Sequence, residues 1–246
     1  VDTHLADGYE FVLPPHILNY ASGVGAGQFP KFADDVYLIS NNTNGENDKQ
    51  FLLPTSETAL VNLYRDEILD ASQLPIKIFA YSPCYRREAG SARAEERGTV
   101  RGHQFNKIEM FQFTTQEQSA ASFDELVGKA SKLVEGLGLH FNVVKLAAGD
   151  VSAGMRRTYD IEVFIPSMGY KEVSSVSNAG CFQARRASIR YRDSKNDKPK
   201  FAHTLNGSGL ATSRIVPAIL EQYQNADGSV TVPEVLRPWI KKDKLS

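Results

Sequence analysis

The stretch His103-Gln-Phe-Asn-Lys-Ile-Glu-Met-Phe-Gln-Phe-Thr114 decides how this chain is read. It has strand character, and side chains at i, i+2 and i+4 of a strand share one face. Phe105, Lys107 and Glu109 therefore stand together: an aromatic, a cation and a carboxylate. Three other segments repeat the pattern. In Cys84-Tyr-Arg-Arg-Glu88, Arg86 and Glu88 share a face; in Lys171-Glu-Val-Ser174, Glu172 and Ser174 do; in His203-Thr-Leu-Asn-Gly-Ser208, Thr204, Asn206 and Ser208 do. Four strands with charged or hydroxyl groups on one side predict the floor of a polar cleft. An antiparallel sheet with one wet face shows the same alternation, and parity by itself does not separate the two.

Outward from that stretch, strand period recurs at 9–13, 76–87, 141–146, 159–165, 170–177 and 201–208. Three helices interrupt it. Thr55 or Ser56 can cap one that runs to about Leu69, with Leu60, Leu63, Tyr64 and Ile68 on its buried side. Thr115-Gln-Glu-Gln118 reads as a capping box. It opens a helix striped by Phe123, Leu126, Val127, Ala130, Leu133, Val134 and Leu137, which stops near Gly138. A third helix, about 210–224, buries Ile215, Ile219, Leu220 and Tyr223, and Pro217 is expected to kink it or delay its start. The polar stretch 40–49 with its Asn-Gly pair reads as a hairpin tip, and 192–200 as a solvated loop. Helices inserted among antiparallel strands give an α+β fold, a mostly antiparallel sheet flanked by helices, in a single domain over 1–246.

Composition narrows the function classes. Of 246 residues 41% are hydrophobic and 23% charged, which fits a globular protein with a core. The net charge of -1 means that any nucleic acid must be met by a local patch or by a part missing from this sequence, rather than by the whole molecule. Cys84 and Cys181 form neither a CxxC pair nor a zinc spacing, and read as reduced thiols of an intracellular, cytoplasmic protein. No apolar run reaches the roughly 20 residues of a membrane helix, and no signal peptide is evident. Walker A, dinucleotide-binding glycine and kinase signatures are absent from the sequence.

The polar faces fit ATP-dependent activation of a carboxylate. Charge developing on the α-phosphate needs a fixed guanidinium, for which Arg86 and Arg214 are the candidates. A cation bridging phosphates, Mg²⁺ here, takes oxygen ligands, which Glu172 and Ser175 can supply. Phe105 offers adenine a face, and Glu109 offers a substrate ammonium a carboxylate. Each has a plainer alternative: Phe105 as core, Glu172 as a surface acid, Arg86 and Glu88 as a structural ion pair. The segment 86–107 carries Arg86, Arg87, Arg93, Arg97, Arg101 and Lys107 against Glu88, Glu95 and Glu96. It is either a lid over triphosphate, with reach toward an acceptor stem, or a solvated hairpin.

Taken together these residues resemble the seryl-tRNA synthetase family. Gly8-Tyr-Glu-Phe-Val-Leu-Pro-Pro15 is similar to the strand end of class II motif 1, and Gly27-Gln-Phe-Pro-Lys-Phe32 follows it. Thr55-Ser-Glu57 resembles the serine-binding TxE element. Tyr85-Arg-Arg-Glu-Ala-Gly90, the arginine-rich loop and 103–109 resemble motif 2. Tyr170-Lys-Glu-Val-Ser-Ser175 and Phe182-Gln-Ala-Arg-Arg186 resemble the metal and ATP region. Thr204-Leu-Asn-Gly-Ser-Gly209 through Arg214 resembles motif 3, and Val232-Pro-Glu-Val-Leu-Arg-Pro238 the C-terminal ending. The resemblance implies that Arg86, Arg214 and Glu172 are catalytic. It implies that Thr55, Ser56, Glu57, Glu109, Asn206 and Ser208 line a serine pocket. ATP would be bound by Arg86, Glu88, Gly102, His103, Gln104, Phe105, Glu172, Val173, Ser174, Ser175 and Arg214, and Mg²⁺ by Glu172 and Ser175. It also implies a homodimer acting on L-serine and tRNA(Ser).

The chain departs from the family pattern in places. The N-terminal helical arm that grips tRNA and most of the helix before motif 1 are not in this sequence, and are expected upstream of Val1. Gly102 stands where a valine is expected, Ala179-Gly-Cys181 is unusual, and Pro217 interrupts the motif 3 helix. A threonyl or zinc-type seryl enzyme is disfavoured by the missing Cys and His ligands. Two other functions remain open on the sequence: a non-catalytic synthetase paralogue, and a ligase loading serine onto an acceptor other than tRNA.

Overall fold

The computed structural model describes residues 1–39, 49–88 and 98–246. The chain opens with α1 (Asp2–Ala6) and β1 (Glu10–Phe11). Then come β2 (Ile17–Asn19), α2 (Tyr20–Ala26), β3 (Leu38–Ile39), β4 (Gln50–Leu52), α3 (Glu57–Leu60) and β5 (Ile68–Asp70). The long pair β6 (Ile76–Tyr85) and β7 (Gln104–Thr114) precedes α4 (Ser119–Gly136). β8 (Phe141–Lys145), β9 (Arg157–Ile165), β10 (Gly169–Gly180), α5 (Phe182–Arg186), β11 (Arg190–Arg192) and β12 (Lys200–Phe201) lead to β13 (His203–Ala211) and α6 (Thr212–Gln222).

Seven strands form the main sheet in the order β1-β6-β7-β13-β10-β9-β8. Only β1 and β6 run parallel; the other neighbours are antiparallel. The four strands with polar faces, β6, β7, β13 and β10, are therefore consecutive neighbours, although they come from four separate parts of the chain. The α+β expectation holds.

One face of this sheet carries the main apolar core. Phe79, Met110, Leu205, Val176, Ile161 and Val163 pack there against Phe123, Leu126, Ala130 and Val134 of α4 and Ile215 and Ala218 of α6. The reciprocal bonds read as a capping box are made, Gln118 accepting from the Thr115 N–H at 3.1 Å and Thr115 Oγ1 from the Gln118 N–H at 3.2 Å, but they close a turn ahead of α4, which starts at Ser119 without a side-chain cap. Gly138, at φ +67°, ends it where a side chain would be strained. The other face is divided. Ile78, Ala80, Phe111 and Phe113 pack with Leu60 and Ala184 of α3 and α5. Farther along the same strands that apolar face gives way to Lys107 and Glu109, and there the sheet opens into a cleft.

The structure corrects several local readings. The helix expected to reach Leu69 ends as α3 at Leu60, followed by a 3₁₀ turn over Val61–Tyr64. Arg65 is extended and Asp66 sits at φ +64°. The backbone then serves a neighbour, with Arg190 N–H donating to Glu67 O and β5 pairing parallel to β11. Tertiary hydrogen bonds override a helical pattern here. Leu63 and Ile68 are accordingly exposed rather than buried. In the third helix Leu220 faces solvent, Ile219 and Tyr223 are half-buried, and Ile215 and Ala218 form the buried stripe. That helix starts at Thr212, two residues later than read, and runs through Pro217. β6 stops at Tyr85, and Glu88 has φ +53°, so strand parity does not relate Arg86 to Glu88. Residues 40–48 of the expected hairpin tip, and 89–97 of the charged loop, lie outside the described residues. The loop over 193–199 is exposed as expected.

One further correction concerns the site directly. The β9–β10 register slips between Glu172 and Ser174, a bulge that adds one residue to β10. Alternation is reset there, so Glu172 shares its face with Ser175 and Ser177 rather than with Ser174.

Candidate active site

The cleft has a volume of about 610 Å³. Its floor is formed by Arg86, beyond β6; Phe105, Lys107 and Glu109 of β7; Asn206 and Ser208 of β13; and Glu172, Val173, Ser175 and Ser177 of β10. Thr55 and Glu57 enter at the start of α3, and Arg214 from the first turn of α6. Gln28, Phe32, Asp35 and Val36 form one wall; Glu88, Val100, Arg101 and Gly102 form another. Thirteen of the predicted residues thus converge: Thr55, Glu57, Arg86, Glu88, Gly102, Phe105, Glu109, Glu172, Val173, Ser175, Asn206, Ser208 and Arg214.

Four predicted residues do not line it. Ser56 is buried, its hydroxyl 2.6 Å from that of Ser82. His103 is exposed, with Nδ1 2.9 Å from the Tyr37 hydroxyl, and Gln104 is exposed beside it. Ser174, turned by the bulge, donates its hydroxyl to the Ser208 carbonyl at 2.7 Å. It supports β13 from behind the cleft floor.

The inner end of the cleft is buried and already hydrogen-bonded. Glu109, only 1% exposed, pairs through Oε2 with the Lys107 ammonium, which also donates to Thr55 Oγ1 at 2.9 Å. Asn206 Nδ2 donates to Glu109 Oε1 at 3.1 Å and to Glu57 Oε2 at 3.3 Å, bridging the two carboxylates. Gln183 Nε2 donates to the other oxygen of Glu57 at 2.6 Å. Burial, reinforced by the nearby charge of Glu109, pushes the Glu57 carboxyl up to about 7, against the opposing pull of Lys107, Gln183 and Arg86. Asn206 Oδ1 is buried with no hydrogen-bond partner among the described residues. Together with Glu57 Oε2 it gives this end acceptor capacity that a small donor, such as an ammonium or a hydroxyl, can satisfy.

The outer end is wider and cationic. Arg86 donates through Nε to the Pro54 carbonyl at 3.2 Å, and its guanidinium lies 5.2 Å from the centre of the Phe105 ring. Arg214 donates to the Glu172 carbonyl oxygen at 2.8 Å and has its carboxylate at 3.7 Å. Arg101 pairs with Glu88 at 2.7 Å. The bulge puts the carboxylate of Glu172 and the hydroxyl of Ser175 on the same side, both in the cleft. This is an oxygen donor pair with room for phosphate oxygens, which fits Mg²⁺.

Sequence reading gave no site role to Gln28, Asp35, Ser177 or Ser213. None belongs to a strand face with visible alternation except Ser177, and the bulge hides that one. Two departures have local causes. A Cβ on Gly102 would lie 3.0 Å from the Gln104 carbonyl oxygen, so a side chain is crowded there. Gly180 has φ +54°, and a Cβ there would collide with Arg156 Cδ. It lets β10 turn sharply into α5.

An antiparallel sheet of this order, with a cation-lined cleft over β6, β7, β13 and β10, defines the core of a class II aminoacyl-tRNA synthetase. Residues 37–223 match the family described as tRNA synthetase class II core domain (G, H, P, S and T), and the chain belongs to it. Within that family its relatives are serine–tRNA ligases. It is 64% identical over 246 residues to serine–tRNA ligase 2 of Clostridium acetobutylicum, across 100% of this chain and 58% of that protein. It is 49% identical over 247 residues to serine–tRNA ligase of Oenococcus oeni, across 100% of this chain and 55% of that one. The crystal structure of seryl-tRNA synthetase from Pyrococcus horikoshii complexed with ATP superposes with a TM-score of 0.92 at 35% identity, over 99% of this chain and 53% of that one. The chain spans a little over half the length of these relatives.

Proposed function

We propose that this chain is the catalytic unit of a serine–tRNA ligase, which joins L-serine to the AMP part of ATP with release of pyrophosphate and then passes serine to the 3′ end of tRNA(Ser). The observation that carries this is the two-part cleft. A small buried pocket with two carboxylates and an unpartnered amide oxygen opens directly into a cationic, Phe105-walled groove. Its size and polarity fit a small amino acid followed by a nucleotide.

In the activation step an oxygen of the serine carboxylate attacks the α-phosphorus of ATP. The bond from that phosphorus to its bridging oxygen breaks, and pyrophosphate leaves with the electron pair. No general base is needed, because an α-carboxyl is ionised near neutral pH. Arg86 would hold the α-phosphate, Phe105 and Glu88 the adenine side, and Arg214 the γ-phosphate. Catalysis then rests on positioning and on fixed charge. Glu172 and Ser175 would hold Mg²⁺, which when bound neutralises phosphate charge. Glu57, Glu109 and Asn206 would receive the ammonium and the hydroxyl. A substrate without the hydroxyl would leave buried polar groups unpaired, which is the physical basis for selecting serine.

The remaining parts of the reading are a homodimer, for which the exposed apolar residues Phe11, Leu13, Ile17 and Leu38 provide material, and a cytoplasmic setting, consistent with two free cysteines. Among the described residues no helix is long and apolar enough to cross a membrane. The test is exchange of labelled pyrophosphate into ATP by the Mg²⁺-loaded chain. Exchange is expected with L-serine and not with L-alanine. A folded chain that shows no serine-dependent exchange would instead be a non-catalytic paralogue.

A further inference from the structure

Resting on the reading of the inner end as the serine pocket, we propose that Gln183 is a positioning residue that fixes the Glu57 carboxylate for recognising the substrate. Gln183 is 1% exposed and does not itself line the cleft. It sits on α5, the short helix that the chain enters through the tight turn at Gly180 and Cys181. Its amide is used at both atoms. Nε2 donates to Glu57 Oε1 at 2.6 Å and to the Ala26 carbonyl at 3.1 Å, and Oε1 accepts from the Thr204 hydroxyl at 2.6 Å.

This set of partners permits one orientation of the amide. Rotated by half a turn, its oxygen would face a carboxylate and a carbonyl, both acceptors. Glu57 Oε1 is thereby committed to Gln183, and Oε2 is the oxygen left to Asn206 and the cleft. The last torsion of a glutamate is broad and roughly two-fold, so without this N–H only the longer Asn206 bond, at 3.3 Å, is left to hold the carboxylate plane. The N–H also favours the ionised carboxylate that an incoming ammonium requires. Phe182-Gln-Ala-Arg-Arg186, which by resemblance belongs to the metal and ATP region, thus acts at Gln183 on the amino-acid side instead.

The experiment compares Gln183→Met and Thr204→Val with the unaltered full chain, by pyrophosphate exchange with L-serine between pH 6 and 8.5. Gln183→Met keeps length and removes the donors. The KM for serine is expected to rise on the order of tenfold to a hundredfold, as for loss of a hydrogen bond to a charged group. The KM for ATP is expected to stay within about twofold. The pH midpoint of the serine KM should move upward, because the ionised Glu57 has lost a donor. A purely structural role would raise both KM values together and leave the midpoint in place, and that result overturns the inference. Thr204→Val keeps the amide and both of its Nε2 bonds but removes the donor that anchors its oxygen; a severalfold rise in serine KM alone is expected. Should Gln183→Met fail to fold, Thr204→Val decides, and an unchanged serine KM in it overturns the inference. Absence of serine-dependent exchange in the unaltered chain overturns the serine reading, and this inference with it.

Discussion

The two ends of the cleft are built on opposite principles. At the inner end Glu57, Lys107, Glu109 and Asn206 are buried and bond one another. At the outer end Glu172 keeps 39% of its side chain exposed, and Arg86 and Arg214 lean on backbone carbonyls. Desolvation at the inner end has already occurred in folding, so those groups need little reorganisation when a small substrate arrives. The outer end holds long cationic side chains that can still exchange carbonyl partners for phosphates. A small rigid substrate and a large flexible one are thus served by different degrees of order in one cleft.

The largest effects should separate the ends by which property fails. Lys107→Met leaves Glu109 buried without its cation, and loss of one partner of a buried pair costs about 3–5 kcal/mol. Urea denaturation of the ligand-free chain should show that loss. Arg86→Ala removes a half-exposed side chain and should cost the fold only about 1 kcal/mol. Its exchange rate should nevertheless fall about 10²–10³-fold, as when a transition-state donor is removed. If Arg86→Ala destabilised the chain as much as Lys107→Met, the contrast between a structural inner end and a functional outer end would break.

The same contrast explains what the sequence made legible. Strand parity showed Phe105, Lys107 and Glu109, and likewise Asn206 and Ser208, because β7 and β13 are regular through those positions. It misplaced Ser174, because a bulge is one extra residue and leaves no mark on hydrophobic alternation. It carried a helix to Leu69, because the backbone bonds that end it come from residues 187 and 190, far along the chain. It passed over Gln183, whose importance lies in being buried against Glu57 and Thr204 at once, a fact of packing rather than of period. Family resemblance supplied Glu57, whereas the needs of carboxylate activation pointed to Glu172 with Ser175, and to Arg214; periodicity alone did not distinguish these from surface polar residues.

A smaller effect sharpens the account of the inner end through pH. Glu57, raised from an ordinary value near 4.5 to about 7, holds a proton in the empty fold that the unfolded chain releases. Native protein therefore binds more protons across that window, and stability from this group falls as pH rises from 4.5 to about 7. Binding runs the other way. An ammonium needs the ionised carboxylate, so serine binding should release a proton and be about tenfold weaker at pH 6 than at pH 8. Titration calorimetry in buffers of different ionisation enthalpy measures both. Glu57→Gln should abolish the proton release; release that persisted in this variant would assign the titration elsewhere.

The smallest effect is predicted for the ion pair of the outer end. Arg101 and Glu88 meet at 2.7 Å with side chains 16% and 21% exposed, at the mouth of the cleft rather than under it. Glu88 also occupies a left-handed backbone position, which non-glycine residues adopt at some strain. A pair that is only partly buried gains less from mutual attraction than a fully buried one, because solvent and salt still reach it and two long side chains are restrained. Glu88→Gln should change the stability of the empty chain by less than about 1 kcal/mol, and by still less at high salt. Thermal denaturation at two salt concentrations decides it. A loss as large as that expected for Lys107→Met would mean that the outer end is held as firmly as the inner one. A small loss is what a nucleotide site requires, since contacts that contribute little to folding can be given up cheaply when a charged ligand takes their place.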